Sequence, residues 1–209
     1  WIQIGQDIDG EAAGDEFGTS VSLNADGTIL AVGAPDNDAP GNNSGHNSGH
    51  VRVYYYSGGM WSQMGDDIDG LQTQSNCGRS VSLSSDGNTL AVGEPGYNGS
   101  QGLTRVLNWD GNSWVQIGSL IIGENGNDIS GFSVSLSGDG STVAIGAENN
   151  DNGGSQNNGH VRVYHYINGV WNQIGSDIDD VPNTNNHSGH SVSISHDGNI
   201  VAIGSYGDD

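Results

Sequence analysis

Positive charge is almost absent from this 209-residue sequence. It contains no lysine, and four arginines face 25 aspartates and glutamates, which gives a formal net charge of −21. A surface this acidic repels phosphate backbones and anionic lipid headgroups, so the composition disfavours nucleic-acid binding and electrostatic membrane docking. No apolar run approaches the roughly 20 residues that a membrane-spanning helix needs, so we expect no direct membrane insertion. Divalent cations are the charged partners that the composition favours.

Disulfides, leaders and catalytic signatures are also missing. The single cysteine, Cys77, cannot form an internal disulfide, so the redox compartment stays open. The sequence begins at Trp1 without a basic-then-apolar leader, and we expect it to be part of a longer protein. It contains no Gly-x-Ser-x-Gly elbow, no glycine-rich phosphate loop and no cysteine pair. We therefore predict that the protein is not an enzyme and has no catalytic residues.

What the sequence does contain is a repeat. Trp-x-Gln-(Ile/Met)-Gly begins at four tryptophans, with spacings of 60, 53 and 57 residues: Trp1, Trp61, Trp114 and Trp171. Ser-Val-Ser-(Leu/Ile) also occurs four times, each time followed by Asp-Gly and an apolar segment ending in glycine. A third block, Val-Arg-Val-Tyr or a variant of it, contains Arg52, Arg105 and Arg162. A fixed period of several tens of residues indicates a repeat architecture.

Each repeat has the pattern of four short strands. Ser-Val-Ser-Leu alternates polar and apolar residues, and the Asp-Gly that follows predicts a two-residue hairpin turn. The returning strand is apolar on both faces, which is typical of a strand covered from both sides. The arginine block and the tryptophan block supply the third and fourth strands, and no stretch has sustained helical periodicity. A four-stranded antiparallel meander of this length is typical of a β-propeller blade.

The predicted fold class is therefore all-β, a β-propeller built from four-stranded antiparallel blades. Residues 1–18 are expected to hold the last strand of a preceding blade, at Trp1–Ile4, and a linker. Residues 176–209 would supply the first half of a further blade, so the chain would be one truncated propeller domain. The predicted complete blades are blade 1 at 19–65, blade 2 at 66–118 and blade 3 at 119–175.

Two short motifs carry a family resemblance. Phe17-Gly18 followed by Gly33-Ala34-Pro35 resembles the FG-GAP repeat, the blade motif of integrin α-subunit propellers and of many extracellular proteins. The later copies keep the glycines and change their neighbours. The full repeat is similar to arrays in very large surface or secreted proteins of bacteria and algae. This resemblance implies an extracellular or cell-surface location, adhesion or structural display, and partners within the same large protein or assembly.

The sequence departs from integrin-type repeats at their calcium loop. Only Asn24-Ala25-Asp26-Gly27 or its equivalent stands where those repeats carry an Asp-x-Asp/Asn-x-Asp-Gly loop. Calcium takes six to eight oxygens from a loop of about a dozen residues, and a hairpin turn supplies too few. We therefore do not expect the calcium site of the family in this chain.

Repeated Asp-Ile-Asp segments are the other candidate for metal binding. Carboxylates at i and i+2 lie on one side of an extended segment and, with carbonyl oxygens, can hold Ca²⁺. The alternatives are an acidic solvated turn or pairing with the repeated arginines. Residues 119–124 lack the motif, so we expect no required cofactor and name only Ca²⁺ as a candidate. The candidate ligands are Asp7, Asp9, Asp15, Asp67, Asp69, Asp177 and Asp179.

The loops between the second and third strands, at 36–48 and 149–158, are the candidate recognition surface. Loops of one type emerge on one face of a propeller and form a shared rim, which here would bind glycans or ions. The alternative is a flexible solvated loop. The candidate ligand residues are Asp36, Asp38, Asn149 and Asp151.

We assign structural roles to the repeated arginines and tryptophans. Each arginine is expected to pair with a repeated aspartate and fix the blade register, while the tryptophans cover the outer strands. Our first hypothesis is therefore a non-enzymatic structural or adhesive module of a large extracellular protein. The rival hypothesis is a glycan- or calcium-binding recognition module that uses the loops between the second and third strands.

Overall fold

The repeated blocks form the strands that their alternation predicts. The structure, a computed structural model, describes residues 1–38, 47–151, 157–180 and 185–207. It contains three four-stranded antiparallel sheets and two strands of a fourth, so the predicted all-β fold is confirmed. Parts of the loops predicted at 36–48 and 149–158 lie outside the described residues. Among the described residues, no helix has the length and apolar composition that crossing a membrane requires.

The strands follow the predicted order within each blade. Blade 1 contains β1 (Ser20–Leu23), β2 (Ile29–Ala34), β3 (His50–Ser57) and β4 (Met60–Gln63), followed by β5 (Ile68–Asp69). Blade 2 contains β6 (Ser80–Leu83), β7 (Thr89–Glu94), a short helical turn α1 (Tyr97–Ser100), β8 (Leu103–Trp109) and β9 (Trp114–Gln116), followed by β10 (Ile121–Ile122). Blade 3 contains β11 (Ser133–Leu136), β12 (Thr142–Ala147), β13 (His160–Ile167) and β14 (Val170–Gln173), followed by β15 (Ile178–Asp179). The last two strands are β16 (Ser191–Ile194) and β17 (Val201–Gly204).

The two-residue strands β5, β10 and β15 are additions that the sequence pattern did not predict. Each pairs antiparallel with the beginning of the third strand of the blade that it follows, as Ile68 in β5 does with Val51 in β3. The third strand is therefore paired on one side by the fourth strand and then by the linker. This pairing places the Asp-Ile-Asp segment beside the strand that carries the repeated arginine.

The Asp-Gly turn is longer than predicted. The last pair of β1 and β2 is Leu23 with Leu30, and the amide of Asn24 then donates to the carbonyl of Ile29 at 3.0 Å. Four residues lie between Asn24 and Ile29, so the prediction of a two-residue turn is wrong. The amide of Gly27 donates back to Asn24, and Gly27 has φ +73°. The glycine thus takes the left-handed conformation that we expected of it, but at the end of a turn instead of at its centre.

Residues 1–4 do not form the predicted strand. In the three complete blades, the tryptophan strand pairs with a third strand that precedes it in the sequence. The side chain of Trp1 is fully exposed.

Successive blades are joined at their first strands. The hydroxyl of Ser22 in β1 accepts the amide of Leu83 in β6 at 2.9 Å, and equivalent serines bond β6 to β11 and β11 to β16. The next-to-last residue of the second strand in each complete blade is a glycine, which allows this close approach. A Cβ atom at Gly33 would lie 2.0 Å from the carbonyl oxygen of Gly78 in the next blade. The first strands therefore lie side by side around the propeller axis, and the second strands fill the core.

Candidate functional site

The arginine of blade 1 lies between two linkers. Its Nε and Nη2 atoms donate to the two carboxylate oxygens of Asp67, both at 2.8 Å, in the fork geometry that makes such pairs strong. Nη2 of Arg52 also pairs with Glu11 from the linker before the blade. His50 is buried beside this pair, with its Nδ1 atom 4.0 Å from Asp67. The side chains of Arg52, Glu11, Asp67 and His50 form what we call a carboxylate cluster.

Blade 3 repeats this cluster. Arg162 donates to both carboxylate oxygens of Asp177 at 2.9 Å and pairs with Glu124 from the preceding linker. Nδ1 of His160 lies 3.8 Å from Asp177. Two of the predicted aspartates, Asp67 and Asp177, are therefore the partners of the repeated arginines.

The guanidinium and burial together set the direction of the pKa shifts in the two clusters. Hydrogen bonds from Arg52 hold the pKa of Asp67 below its ordinary value of 3.8, and Arg162 does the same to Asp177. Burial lowers the pKa of His50 and of His160 below 6.5. Among the described residues, these two clusters also place three potential metal ligands within 4.8 Å of one another, in each case a glutamate, a histidine and an aspartate. A metal ion there would have to displace a bound guanidinium.

Blade 2 is built differently. The partner of Arg105 is Glu94, at 2.6 Å, and the side chain of Glu94 is fully buried. The expectation that an aspartate pairs with each repeated arginine is therefore wrong for Arg105. Nη2 of Arg105 also donates to the carbonyl of Asp69 at 2.7 Å and to Sγ of Cys77 at 3.3 Å. Leucine replaces the glutamate, histidine and aspartate of the carboxylate cluster, at Leu71, Leu103 and Leu120.

The remaining predicted metal ligands are dispersed. Asp7 accepts a hydrogen bond from the side chain of Gln3, and Asp9 is exposed. Asp15 is buried and accepts from the side chain of Asn37 at 2.9 Å, a pair that Asp128 and Asn150 repeat at 3.0 Å in blade 3. Burial raises the pKa of Asp69, and Asp179 lies 4.0 Å from His160. The oxygens of the Asp-Gly turn accept backbone amides, as Asp26 does from Thr28.

The predicted ligand residues of the loops bond mostly within their own loops. Asp38 accepts the amide of Asn47 at 2.8 Å, and Asn149 accepts from the side chain of Asn157 at 3.3 Å. Asp151 is exposed. Asp36 is different, because it accepts from the side chain of Asn76 in the next linker and lines a cavity.

Three tryptophans tie each blade to the segment before it. The indole of Trp114 donates to the carbonyl of Met64 and that of Trp171 to Ile117, both at 3.0 Å, while Trp61 reaches Ile4 at 3.3 Å. Each packs against an aromatic ring of its own third strand, at centroid distances of 5.0 to 5.5 Å. Trp1 is exposed and outside this pattern.

Sequence reasoning missed a row of side chains at the entry to the first strands. A turn precedes each of these strands, and its first residue has a positive φ in all four copies: Glu16, Asn76, Ile129 and His187. The amide three residues later closes the turn in each copy, at Thr19, Arg79, Phe132 and His190. Both the first and the last residue of this turn differ in type between the four copies, so a comparison of the repeats shows no common chemistry there.

The turns bring several of these side chains into contact. The guanidinium carbon of Arg79 lies 4.1 Å from the centroid of the Phe132 ring. Phe132 lies 5.3 Å from His190, and Tyr206 lies 4.8 Å from His190 and from His187. His190 also pairs with Glu148 through Nδ1. We call Arg79, Phe132, His190, Tyr206 and His187 the axial row.

Comparison with protein families gives the first segment a name. Residues 8–54 match the family model of the FG-GAP repeat. The chain carries an FG-GAP repeat. The predicted resemblance is confirmed over this segment, which contains Phe17-Gly18 and Gly33-Ala34-Pro35. No curated protein matches the chain by sequence.

Solved structures place the fold of this chain among β-propellers. A putative 6-phosphogluconolactonase from Bacteroides uniformis is 12% identical, with a TM-score of 0.56 over 88% of this chain and 46% of that chain. Hydrazine synthase from Kuenenia stuttgartiensis is 14% identical, with a TM-score of 0.51 over 95% and 45%. TolB from Acinetobacter baumannii is 14% identical, with a TM-score of 0.51 over 88% and 36%. Identities this low establish the fold alone, and the chain spans less than half the length of each of these structures.

Proposed function

We propose that the chain is part of a non-enzymatic β-propeller module with a structural or adhesive role in a large extracellular or cell-surface protein. Its partners would be further blades of the same protein or assembly. The FG-GAP repeat at residues 8–54 supports this class of module, and the putative 6-phosphogluconolactonase and TolB share only the fold at low identity.

The observation that carries the proposal is the unequal exposure of equivalent residues. Val21 and Leu23 on the first strand of blade 1 are 64% and 56% exposed, whereas their equivalents in blades 2 and 3 are 7 to 8% exposed. Each of the buried equivalents is covered by the preceding blade, whereas none of the residues that the structure describes covers Val21 and Leu23 to this extent. Apolar surface of this kind is stabilised by burial, at about 25 cal/mol per Å². The first strand of blade 1 is therefore suited to receive another blade.

The other end of the chain has the same property. Ile200 in the partial last blade is 70% exposed, and Ala202 is exposed although the equivalent alanines of the complete blades are fully buried. In a complete blade, the third strand and the following blade cover this second strand. Both ends thus offer the surfaces that blades use on each other, which supports partners built from the same kind of unit.

The use of the polar groups supports a structural role in addition. Arg52 joins the linker before its blade to the linker after it, through Glu11 and Asp67. The indoles of Trp114 and Trp171 bond to the preceding blade. The strongest repeated donors therefore hold the blades in register.

A substitution on the exposed first strand of blade 1 tests the proposal. It is made in the parent protein, the larger protein of which we propose that this chain is a part. Leu23→Asp is expected to lower its melting temperature, because a charge would be buried where a further blade packs. Val115→Asp is the matched control, since Val115 is 47% exposed on the outer part of blade 2. Equal melting temperatures for the two variants would mean that no blade covers Leu23.

Localisation and the non-enzymatic role need separate measurements. Antibodies against residues 1–209 are expected to label intact source cells, and deletion of this region is expected to reduce their attachment to surfaces. Labelling only after lysis would contradict the cell-surface role. Turnover of a lactone by the parent protein, abolished by changes in this region, would contradict the non-enzymatic role.

A recognition role for the loops between the second and third strands is the second proposal. It is favoured by Asp36, which faces a cavity shared with the axial row.

A further inference from the structure

The cavity beside the axial row has the features of a small ligand site. It is open to solvent and has a volume of about 290 Å³ between the entries to the first strands of blades 1, 2 and 3. This volume is at the lower end of the range for ligand pockets, about 300 Å³, and suits a single ring better than a drug-sized molecule. Its apolar walls include Pro35, Pro95 and Phe132, and its polar groups include Glu16, Asn76 and Arg79.

Arg79 is the one arginine that the described residues leave without a carboxylate partner. Arg52, Arg105 and Arg162 each form an ion pair within 3 Å. The guanidinium of Arg79 lies over the face of the Phe132 ring, 4.1 Å from its centroid. Stacking on an aromatic ring holds a guanidinium plane in place and leaves its edge of N–H donors available. In a chain with a net charge of −21, Arg79 is an anchored cation without an ion pair among the described residues, in a cavity that Glu16 and Asp36 also line.

The turn at the entry to the first strand of blade 3 places an isoleucine in the left-handed conformation that all four copies adopt. Ile129 lines the cavity and has φ +50°, a left-handed conformation that is costly for a β-branched residue. Glycine or asparagine would adopt the same conformation at less cost, as Asn76 does at the equivalent position. Such strain is concentrated at functional sites, where the side chain has a use besides folding.

A polar groove continues outward from the cavity. It encloses about 510 Å³ and shares Asn76, Gly96 and Ser100 with the first cavity. Its other walls are amide and hydroxyl side chains, among them Asn47, Gln72 and Asn98. Such groups donate and accept hydrogen bonds without charge, which matches the hydroxyl groups of a sugar chain.

We propose that this cavity and groove bind an acidic oligosaccharide, with the carboxylate of a uronic acid unit on Arg79 and the next sugar in the groove. Glu16, Asp36 and Asn76 would bond the hydroxyl groups of the uronate ring. The site goes beyond the structural role proposed above and stands independently of it, because it requires neither the exposed blade faces nor a cell-surface location.

Calorimetry with the full chain and a short oligosaccharide that carries one uronic acid unit tests the proposal. The probe control is the neutral oligohexose of the same length and linkage, which differs from the uronate in the carboxylate. We expect the uronate to bind about tenfold or more tightly than the neutral sugar, because a bidentate guanidinium–carboxylate pair is charge-assisted. Equal binding of the two sugars, or no binding of the uronate, would overturn the proposal.

Two variants locate the contact. Arg79→Gln is expected to remove most of the preference for the uronate, whereas Asn172→Asp should leave it unchanged. Both substitutions make the net charge more negative by one unit, and Asn172 is exposed on β14, away from the cavity lining. Arg79→Lys is expected to fall between them, since a lysine keeps the charge but loses the planar fork. Equal weakening by Arg79→Gln and Asn172→Asp would overturn the site.

The ligand class has its own test. Near-ultraviolet circular dichroism establishes that each variant keeps the native packing. A carboxylate-bearing peptide that binds through Arg79 more tightly than the uronate would overturn the assignment to a glycan. Uronate binding that survives in the parent protein and is lost in its Arg79→Gln variant would support it, whatever the outcome for the structural role.

Discussion

Blades 1 and 3 bury their arginine in one way and blade 2 in another. In blades 1 and 3, two partly exposed carboxylates and a buried histidine surround the guanidinium. Blade 2 has leucines at those three positions and a single buried carboxylate, Glu94, where the other two blades have alanine. The equivalent arginines therefore occupy the same place in the fold but have different partners in blade 2 from those in blades 1 and 3.

The difference shows how burial changes the stability that is lost when one partner of an ion pair is removed. A partly exposed pair contributes little, because water screens it and a second carboxylate remains when one is lost. A fully buried pair has no such reserve, since removal of one partner leaves the other charge without compensation. Blade 2 should therefore depend on one residue where blades 1 and 3 depend on several.

The largest expected effect is that of Glu94→Ala. It leaves the buried guanidinium of Arg105 without its carboxylate, and we expect a loss of about 3 to 5 kcal/mol in the free energy of unfolding. The counterpart in blade 1, Asp67→Asn, leaves Glu11 on Arg52 and should cost about 1 kcal/mol or less. Urea unfolding of the two variants measures the difference, and equal losses would contradict the comparison.

A rescue sharpens this prediction. Adding Leu71→Glu and Leu120→Asp to Glu94→Ala gives blade 2 the carboxylates of blades 1 and 3. We expect part of the lost stability to return, because Arg105 regains two partners. The same two substitutions in the presence of Glu94 should instead destabilise the blade, since three carboxylates would then surround one arginine.

Mild acid should weaken blades 1 and 3 before blade 2. Burial lowers the pKa of His50 and His160, so the unfolded chain takes up their protons near pH 6.5 while the folded chain does not. Stability therefore falls as the pH drops below about 6.5. The contributions of Asp67 and Asp177, whose pKa values are lowered below 3.8, persist to more acidic pH.

Hydrogen exchange measured by mass spectrometry at pH 7 and pH 5 tests this order. After correction for the intrinsic exchange rate, β3 and β13 should lose protection at pH 5, and β8, which has Leu103 in place of the histidine, should keep it. Uniform loss in all three strands would contradict the prediction.

A smaller effect separates the tryptophans. Trp171 is 7% exposed and its indole bond to Ile117 measures 3.0 Å, whereas Trp61 is more exposed and its bond measures 3.3 Å. Trp171→Phe should therefore cost about 1 kcal/mol, the contribution of one hydrogen bond, and Trp61→Phe less. Thermal unfolding measures both, and a larger loss for Trp61→Phe would reverse the ranking.

The smallest expected effect is that of calcium. Arginines hold Asp67 and Asp177, so excess Ca²⁺ should change the melting temperature little relative to chelator at matched ionic strength. A large upward shift would instead make the Asp-Ile-Asp segments structural metal sites.

The fold was predictable because the pattern of the first two strands occurs four times in the sequence. Periodic alternation in Ser-Val-Ser-Leu fixes one strand, and the doubly apolar strand after it predicts a covered core. The linker strands escaped prediction because a two-residue segment such as Ile68–Asp69 has no periodicity of its own. The four-residue turn escaped because Asp-Gly is compatible with several hairpin lengths.

The candidate sites divide in the same way. Repetition pointed to Asp67 and Asp177, but it could not show that Arg105 had exchanged its partner for Glu94, because that exchange requires knowing which positions face each other. The axial row was invisible for a related reason. Three of its members, Arg79, Phe132 and His190, are equivalent in the fold to Thr19 but share no chemistry with it or with one another, so a search for repeated chemistry does not detect them.

The serine bonds between first strands have a consequence for how such a chain grows in evolution. Blades 2 and 3 each supply a hydroxyl to the next unit and an amide to the previous one, as β6 does through Ser82 and Leu83. A tandem duplication of the gene segment for one unit copies both halves of this joint. Units can then be added or lost in frame without the need for new contacts between blades. Substitutions in single copies can in turn produce blades that differ as blade 2 differs from blade 1.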